Sequence, residues 1–400
     1  EAGRTPRPVA PMRTGRALAA AGLAIAALLT VAVPALSMRL GLPDGASEPT
    51  DTTQYRAYQA IAAEFGAGQN AALLVVAEPP AAVAEEERTA TQAGIAAALM
   101  AQPDVVAVAP VAVSEDGELF AFQVVPAEGP SSASTERLVH ELRALSPLDG
   151  GIVLGVAGQS SGSIDVADKL ADALPLYLAV VVGLSLLIMI VVFRSLVVPL
   201  VATAGYILSL FAALGATTAV FQLGWLADVF GVHDPGPLLS FVPIILTGVL
   251  FGLAMDYQLF LASGMREAHV HGMPARQAVI AGLRGGRAVV TAAAIIMAAV
   301  FGGFVFSHLA MIRPLGFGLA IGVLLDAFVV RMAIMPALLH LFGERAWWLP
   351  RWLDRIVPDV DVEGSALERA HPVRLAEADR DAVPDDGARA PEPAGARMGA

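Results

Sequence analysis

A carboxylate stands near the middle of an apolar stretch long enough to cross a bilayer, and few sequence features restrict a fold so tightly. The stretch runs from Leu238 to Ser263 and contains Phe251-Gly252-Leu253-Ala254-Met255-Asp256-Tyr257-Gln258-Leu259-Phe260-Leu261. An Asp at mid-membrane costs about 2.5–3.5 kcal/mol on insertion scales. Asp256 is therefore expected to face the interior of a helix bundle and to meet a partner there. Its functional meaning is then an ion or proton pathway, and its plainer meaning is a buried carboxylate that pins helix packing.

The rest of the composition agrees with a membrane setting. Hydrophobic residues make up 56% of the 400 and charged ones 16%, which marks an integral membrane chain. The apolar residues are unevenly spread, and roughly 41 to 172 has the composition of a water-exposed domain. A formal charge of −12 speaks against nucleic acid, which selects clustered Lys and Arg. Cysteine is absent, so disulfides and Cys-based metal sites are excluded. The only lysine, Lys169, follows Asp168, so the Gly-Lys of a phosphate-binding loop is missing. Uphill transport would then draw on an ion gradient, unless another subunit hydrolyses ATP. Glu1 stands first, from which a longer open reading frame is expected.

Hydropathy predicts an α-helical integral membrane bundle of six transmembrane helices, with an extracytoplasmic α+β, ferredoxin-like domain inserted after the first. Residues 1–16 read as a cytoplasmic basic leader and 17–37 as the first span, its start held inside by Arg4, Arg7, Arg13 and Arg16. A cleaved signal peptide is the alternative, but the run continues past Pro34 without an A-x-A site. Over 38–173 the pattern alternates helix and strand. Asp51 is expected to cap a helix through Gly66, and the order β-α-β-β-α-β then follows from Asn70 to Ala157. Spans at 176–193, 196–222, 238–263, 288–306 and 314–342 complete a bundle over 174–343. Between them, 264–287 carries Arg266, Arg276, Arg284 and Arg287 and reads as an amphipathic cytoplasmic helix lying on the membrane. Trp347, Trp348 and Trp352 suggest an interfacial helix over 344–358, and 359–400 reads as a disordered acidic cytoplasmic tail. Both termini are then cytoplasmic.

Asp326 and Arg331 are a second intramembrane polar pair. Five residues apart, they are not stacked on one face of an α-helix, so each is expected to look toward a different neighbour. Counting from the outer ends of their spans, Asp256 is 18 residues beyond Leu238 and Arg331 is 17 beyond Pro314. Equal depth is expected to let Arg331 reach Asp256 or a counterpart outside this chain, with snorkelling to the interface as the plainer reading. Asp256, Tyr257, Asp326 and Arg331 thus form the candidate proton relay. A carboxylate suits proton carriage because burial favours its neutral form and a nearby cation its charged form. Tyr257 offers a hydroxyl, or merely a packing ring. Gly248-xxx-Gly252 and Gly318-xxx-Gly322 read as close helix approaches. His269 and His271, two apart, do not converge on a metal, and neither metal nor cofactor is expected. An intramembrane aspartyl protease would need Tyr-Asp and Gly-x-Gly-Asp. Here the order is Asp256-Tyr257, and Leu324-Leu325 precede Asp326, so no enzyme activity is expected.

Longer motifs carry a resemblance. GVLFGLAMDYQLFLASGMRE, from Gly248 to Glu267, resembles the fourth and tenth helices of the MmpL family of the resistance-nodulation-division superfamily. SFVPIILTG just before it, RAVVTAAAIIMAAVFGGF (Arg287–Phe304) and GFGLAIGVLLDAFVVRMAIMPALLHLFG (Gly316–Gly343) are similar to helices ten to twelve. RAWWLPRWLDRIVPDVDVEG (Arg345–Gly364) resembles the family's ending, and LGLPDGASEPTDTTQYRAYQAIAAEFGAG (Leu40–Gly68) the start of its second porter domain. The resemblance implies export of lipids or other hydrophobic metabolites across the cytoplasmic membrane, driven by proton entry. It also implies that this chain is the C-terminal half, helices seven to twelve. Its partners would be the bilayer, a hydrophobic or lipid substrate, and the missing helices one to six or a second copy. Those helices would supply a second Asp-Tyr pair. Gln258 departs from the family in replacing the usual Glu after Asp-Tyr. A sterol-sensing or scaffold protein of the same fold, and the protein-translocation branch of the superfamily, are the alternatives.

Overall fold

The computed structural model describes residues 13–309 and 311–356. The expected leader falls mostly, and the expected tail wholly, outside them. The first helix, α1 (Thr14–Ala32), gives way at Pro34 to a tight turn over Val33–Ser37, and a two-residue strand, β1 (Leu40–Gly41), follows. Helix α2 (Thr53–Phe65) is capped by Thr52, whose hydroxyl accepts the Tyr55 N–H at 3.2 Å. Asp51, the expected cap, lies one residue too early.

Next come β2 (Leu73–Glu78), α3 (Glu85–Met100), β3 (Val105–Val113), β4 (Phe120–Pro126), α4 (Ala133–Ala144) and β5 (Val153–Ala157). The sheet order is β3-β4-β2-β5, with every neighbouring pair antiparallel, the arrangement of a split βαβ unit. Alternation along β2 and β4 sends Leu73, Val75, Phe120, Phe122 and Val124 to one face, and Leu99, Leu138 and Leu142 of the two helices cover it. Pro110 is tolerated because β3 is an edge strand, and the register shifts beside it.

Helix α5 (Gln159–Phe193) has 35 residues and passes Pro175 without a break. At 1.5 Å per residue it is about 52 Å long, well beyond the roughly 30 Å of a hydrocarbon core. Its polar first turns therefore extend past the apolar layer, where Arg143 of α4 grips Asp165 with two bonds of 2.6 and 2.9 Å. Arg194, with φ 45°, turns the chain into α6 (Val197–Phe221). A short helix, α7 (Ala227–Phe230), and a second two-residue strand, β6 (Leu238–Leu239), precede α8 (Val242–Val270). Helix α9 (Ala275–Val305) comes next. Helix α10 (Ile312–Leu324) then runs through a π-helical stretch, Leu325–Ile334, into α11 (Met335–Phe342). The last described helix is α12 (Arg351–Asp354). Among the described residues six segments are long and apolar enough to cross a membrane: Thr14–Ser37, Gln159–Phe193, Val197–Phe221, Val242–Val270, Ala275–Val305 and Ile312–Trp347.

Three expected boundaries are corrected. Leu238 and Leu239 do not begin a span; they pair as β6 with β1 in parallel, and the helix starts at Val242. Residues 264–287 form no helix of their own. They divide between the end of α8, a turn at Gly272 (φ +93°) and Pro274, and the first turns of α9, because only that Gly-Pro point interrupts helical backbone. The interfacial helix over 344–358 is split into a turn at Gly343–Trp347 and α12, since Pro350 cannot continue the first into the second.

Helix α6 and the α10–α11 helix are the inner elements of the bundle, while α1, α5 and α9 lie at its periphery. A Cβ at Gly318 or Gly322 would collide with Leu246 or Leu250, so this glycine pair seats α10 directly on α8. Gly252 meets nothing within 4 Å, so it packs no helix here.

Candidate functional site

The site forms where α8 crosses the π-helical stretch. In an α-helix residues four apart share a face, whereas residues two apart lie about 200° apart around the axis. On α8 this separates Ala254 and Gln258, which are buried, from Asp256, which is exposed with Gly252 and Phe260. Two polar environments thus occupy opposite sides of one helical turn.

The inner side holds Arg331, 2% exposed, and Asp326, 6% exposed. Arg331 donates from Nε to Asp326 Oδ2 at 2.6 Å and from Nη1 to Gln258 Oε1 at 3.1 Å, and its Nη2 donates to the Ala254 carbonyl. Its guanidinium carbon also lies 5.9 Å from the centre of the Tyr257 ring, within cation–π range. The pair is neutral as a unit, which is how a charge survives in so apolar a place. It also closes within one helix, contrary to expectation. A π-helix hydrogen-bonds i to i+5 and so brings residues five apart into register. The α-helical rule that separated Asp326 from Arg331 does not apply over Leu325–Ile334.

The expected reach of Arg331 to Asp256 is likewise corrected. Residue counting captured depth but not direction around α8, and Arg331 meets the Ala254 and Gln258 side of the turn. Nor does Arg331 snorkel. Among the described residues no hydrogen bond or ion pair reaches the Asp256 carboxylate. Tyr257 stands between the two environments, next to Asp256 in the chain and over Arg331 with its ring.

Gln258 is the residue that sequence reasoning undervalued. More than a departure from the family's Glu, its side chain is 2% exposed and holds Arg331. Its four-residue spacing from Ala254, on the face opposite Asp256, was the available signal. Among the described residues, Gln258 Nε2 and Asp326 Oδ1 are buried without a hydrogen-bond partner. Nearer the start of α8 the Tyr206 hydroxyl donates to the Thr247 carbonyl at 2.8 Å, tying α6 to α8. His269 makes no metal-like convergence with His271: its ring stacks on Trp347 at 5.5 Å, and its Nδ1 lies 3.1 Å from the Met273 carbonyl.

Beyond the end of α6 and the start of α8 lies a different polar group, Tyr58 of α2 with Asp44 and Asp234. The Tyr58 hydroxyl is pushed up to about 12, by burial first and then by Asp44 and Asp234. The Asp234 carboxyl is held above its ordinary range by burial and by Asp44. Asp44 itself accepts bonds from the Ala46 N–H and from the Ser131 hydroxyl, at 3.0 and 2.6 Å.

Comparison with known proteins places this arrangement. The family model described as MMPL family matches residues 46–359. The membrane protein YdfJ of Bacillus subtilis (strain 168) is 42% identical over 342 residues, covering 86% of this chain and 47% of YdfJ. The mycolic acid-containing lipids exporter MmpL11 of Mycolicibacterium smegmatis is 32% identical over 349 residues, 84% of this chain and 36% of that protein. The trehalose monomycolate exporter MmpL3 of the same organism is 36% identical over 256 residues, 63% of this chain and 25% of its own length. The chain spans about half the length, or less, of these curated relatives.

Proposed function

Because the chain belongs to the MMPL family, we propose that it forms the C-terminal half of an exporter of lipids or other hydrophobic compounds, driven by proton entry through the bundle. The observation that carries this reading is the Asp256 carboxylate, set in an apolar helix with no hydrogen bond or ion pair among the described residues. Left against lipid it costs about 2.5–3.5 kcal/mol, so the face it lies on requires a cover. Ile245, Gly252, Asp256 and Phe260 form the exposed stripe of α8, and helices one to six of the same transporter, or a second copy of this chain, would close over it. Asp256 then carries the proton, and Tyr257 lends a hydroxyl beside it. Asp326 and Arg331 form the neutral, closed part of the relay behind Tyr257.

The orientation in this reading follows from charge. Arg13 and Arg16 at the start of α1, and Arg266, Arg276, Arg284 and Arg287 around the α8–α9 turn, favour the cytoplasmic side, with both termini inside. The β2–β5 unit, with the rest of 38–173, then becomes an extracytoplasmic porter domain in the cytoplasmic membrane. A scaffold of the same fold would need none of the titratable chemistry at Asp256.

The test is proton flux. Vesicles carrying the transporter that contains this chain, loaded with a pH-sensitive dye, are given an imposed pH gradient. Asp256→Asn is expected to abolish the flux at unchanged membrane level, and undiminished flux would sink the carrier role in favour of the scaffold.

A further inference from the structure

Helix α5 runs unbroken from the β2–β5 unit into the bundle, but α8, the helix of Asp256, does not. Its link toward that unit runs through β6, just ahead of its first residue, to β1. The Leu238 N–H donates to the Arg39 carbonyl at 2.9 Å, and the Ser240 N–H and hydroxyl donate to the Gly41 carbonyl at 2.9 and 3.0 Å. These bonds join β6 to β1 and hang the outer end of α8 on the segment that leaves α1. Leu238 and Ser240 are each 1% exposed, so the bonds are shielded from competing water.

Gln222, at the end of α6, brackets the same segment. Its carboxamide accepts the Arg39 N–H at 2.7 Å and donates to the Ser37 carbonyl at 2.6 Å. The Arg39 side chain points the other way. Its guanidinium donates to the Ser131 carbonyl at 2.9 Å and pairs with Glu136 at 3.4 Å. Ser131 lies just before α4 and Glu136 in its first turn, where a carboxylate is favoured by the helix dipole. Arg39 is therefore bonded through its backbone to Gln222 at the end of α6 and to β6 just ahead of α8, and through its side chain to the start of α4.

We infer that Arg39 is the positioning residue through which a displacement of α8 is passed to the β2–β5 unit. The inference rests on the proton-driven reading above. Val242 to Asp256 is 14 residues, about 21 Å of helix at 1.5 Å each, so a shift at the carboxylate moves the outer end of α8 as a rigid rod. β6 follows it, β1 follows β6, and the arginine pulls on α4. A cation on a long side chain can keep its bonds to a carbonyl and a carboxylate through such a movement, where a short neutral side chain would part from both.

The chain has no cysteine, so two can be introduced for spin labels, Glu141→Cys on α4 and Leu223→Cys after α6. Both positions are exposed. The full chain in liposomes is measured by pulsed electron resonance at about pH 8 and about pH 3.5, either side of the ordinary Asp value of about 3.9. The distance distribution is expected to move with pH, and Arg39→Gln to abolish the movement. The infrared carboxyl band that Asp256→Asn removes should still respond to pH in Arg39→Gln, and Arg39→Lys, which keeps a cation, should restore the movement. A distribution that moves equally in Arg39→Gln overturns the inference and leaves the proton reading standing. So does equal failure of Arg39→Gln and Arg39→Lys accompanied by loss of thermal stability, which would make the residue merely structural. Movement that persists in Asp256→Asn removes the proton reading itself, and this inference with it.

Discussion

Asp326 and Asp256 lie in the same apolar bundle on either side of one turn of α8, and their surroundings are opposite. Asp326 is buried, bonded to Arg331 at 2.6 Å, and accompanied by Gln258 and a backbone carbonyl that share the same guanidinium. Asp256 is exposed on a helix face that carries Gly252 and Phe260 and bonds to nothing among the described residues. The first carboxylate is paired within this chain through Oδ2, and the second, among the described residues, is not paired. A site that closes on itself stabilises the bundle, whereas a site left open is free to exchange a proton or to meet a partner. In the proton-driven reading, Asp256 is then the carrier, and Asp326 with Arg331 is the closed, bundle-holding part of the relay.

The sharpest way to break that contrast is Asp256→Asn. Proton-coupled transport should be lost entirely, while stability changes by no more than about 0.5 kcal/mol, as for a substitution that removes no native contact. Thermal unfolding in bicelles measures the second quantity beside the vesicle assay. A large loss of stability would mean that Asp256 pins packing after all.

Arg331→Met should do the reverse and act on the fold. Removing one partner of a buried pair leaves an uncompensated charge and costs about 3–5 kcal/mol. Adding Asp326→Asn to it should return much of that loss, because no buried charge is then stranded. If the double variant is no more stable than Arg331→Met alone, the 2.6 Å bond is not the interaction that matters.

A smaller effect is expected from Gln258→Ala. One guanidinium donor loses its acceptor in a dry place, for about 1–3 kcal/mol. A neutral outcome would show that water or Tyr257 replaces the amide without penalty.

The smallest effect belongs to the segments beyond the end of α6, where Asp44 and Asp234 lie with Tyr58. Asp44→Asn should lower the Asp234 carboxyl toward its ordinary range, and the Tyr58 hydroxyl from about 12. Burial is the larger cause in both, so neither should return fully. The sign for stability follows from the raised carboxyl. The folded state favours the protonated form of Asp234, so stability falls as pH rises from the ordinary Asp range through the raised value. Asp44→Asn should flatten that fall. Carboxyl NMR and ultraviolet titration of Tyr58 read the two shifts, and an unchanged Asp234 would remove Asp44 as a cause.

Much of this architecture was legible before any coordinates. The six apolar helices, the β-α-β-β-α-β order and the resemblance carried by the Asp256 helix all rest on local information. A run of apolar residues has to satisfy its backbone as a helix in lipid, and alternation at period two has to expose one face of a strand. Boundaries failed where a few residues do something non-helical: Leu238 and Leu239 pair with a strand nearly two hundred residues away, and a Gly-Pro turn joins two spans directly.

The sequence by itself determined that Asp256, Tyr257, Asp326 and Arg331 sit deep in apolar helices, because depth is a matter of counting residues at a fixed rise. Only the tertiary structure decided which of them meet. Direction around an axis depends on the local helical pitch, and the π-helix over Leu325–Ile334, packed against α6 and α1, has no signature in the residue pattern. That π-helix brought Asp326 under Arg331, while the α-helical period of α8 turned Gln258 into the site and left Asp256 on the opposite face with its carboxylate open.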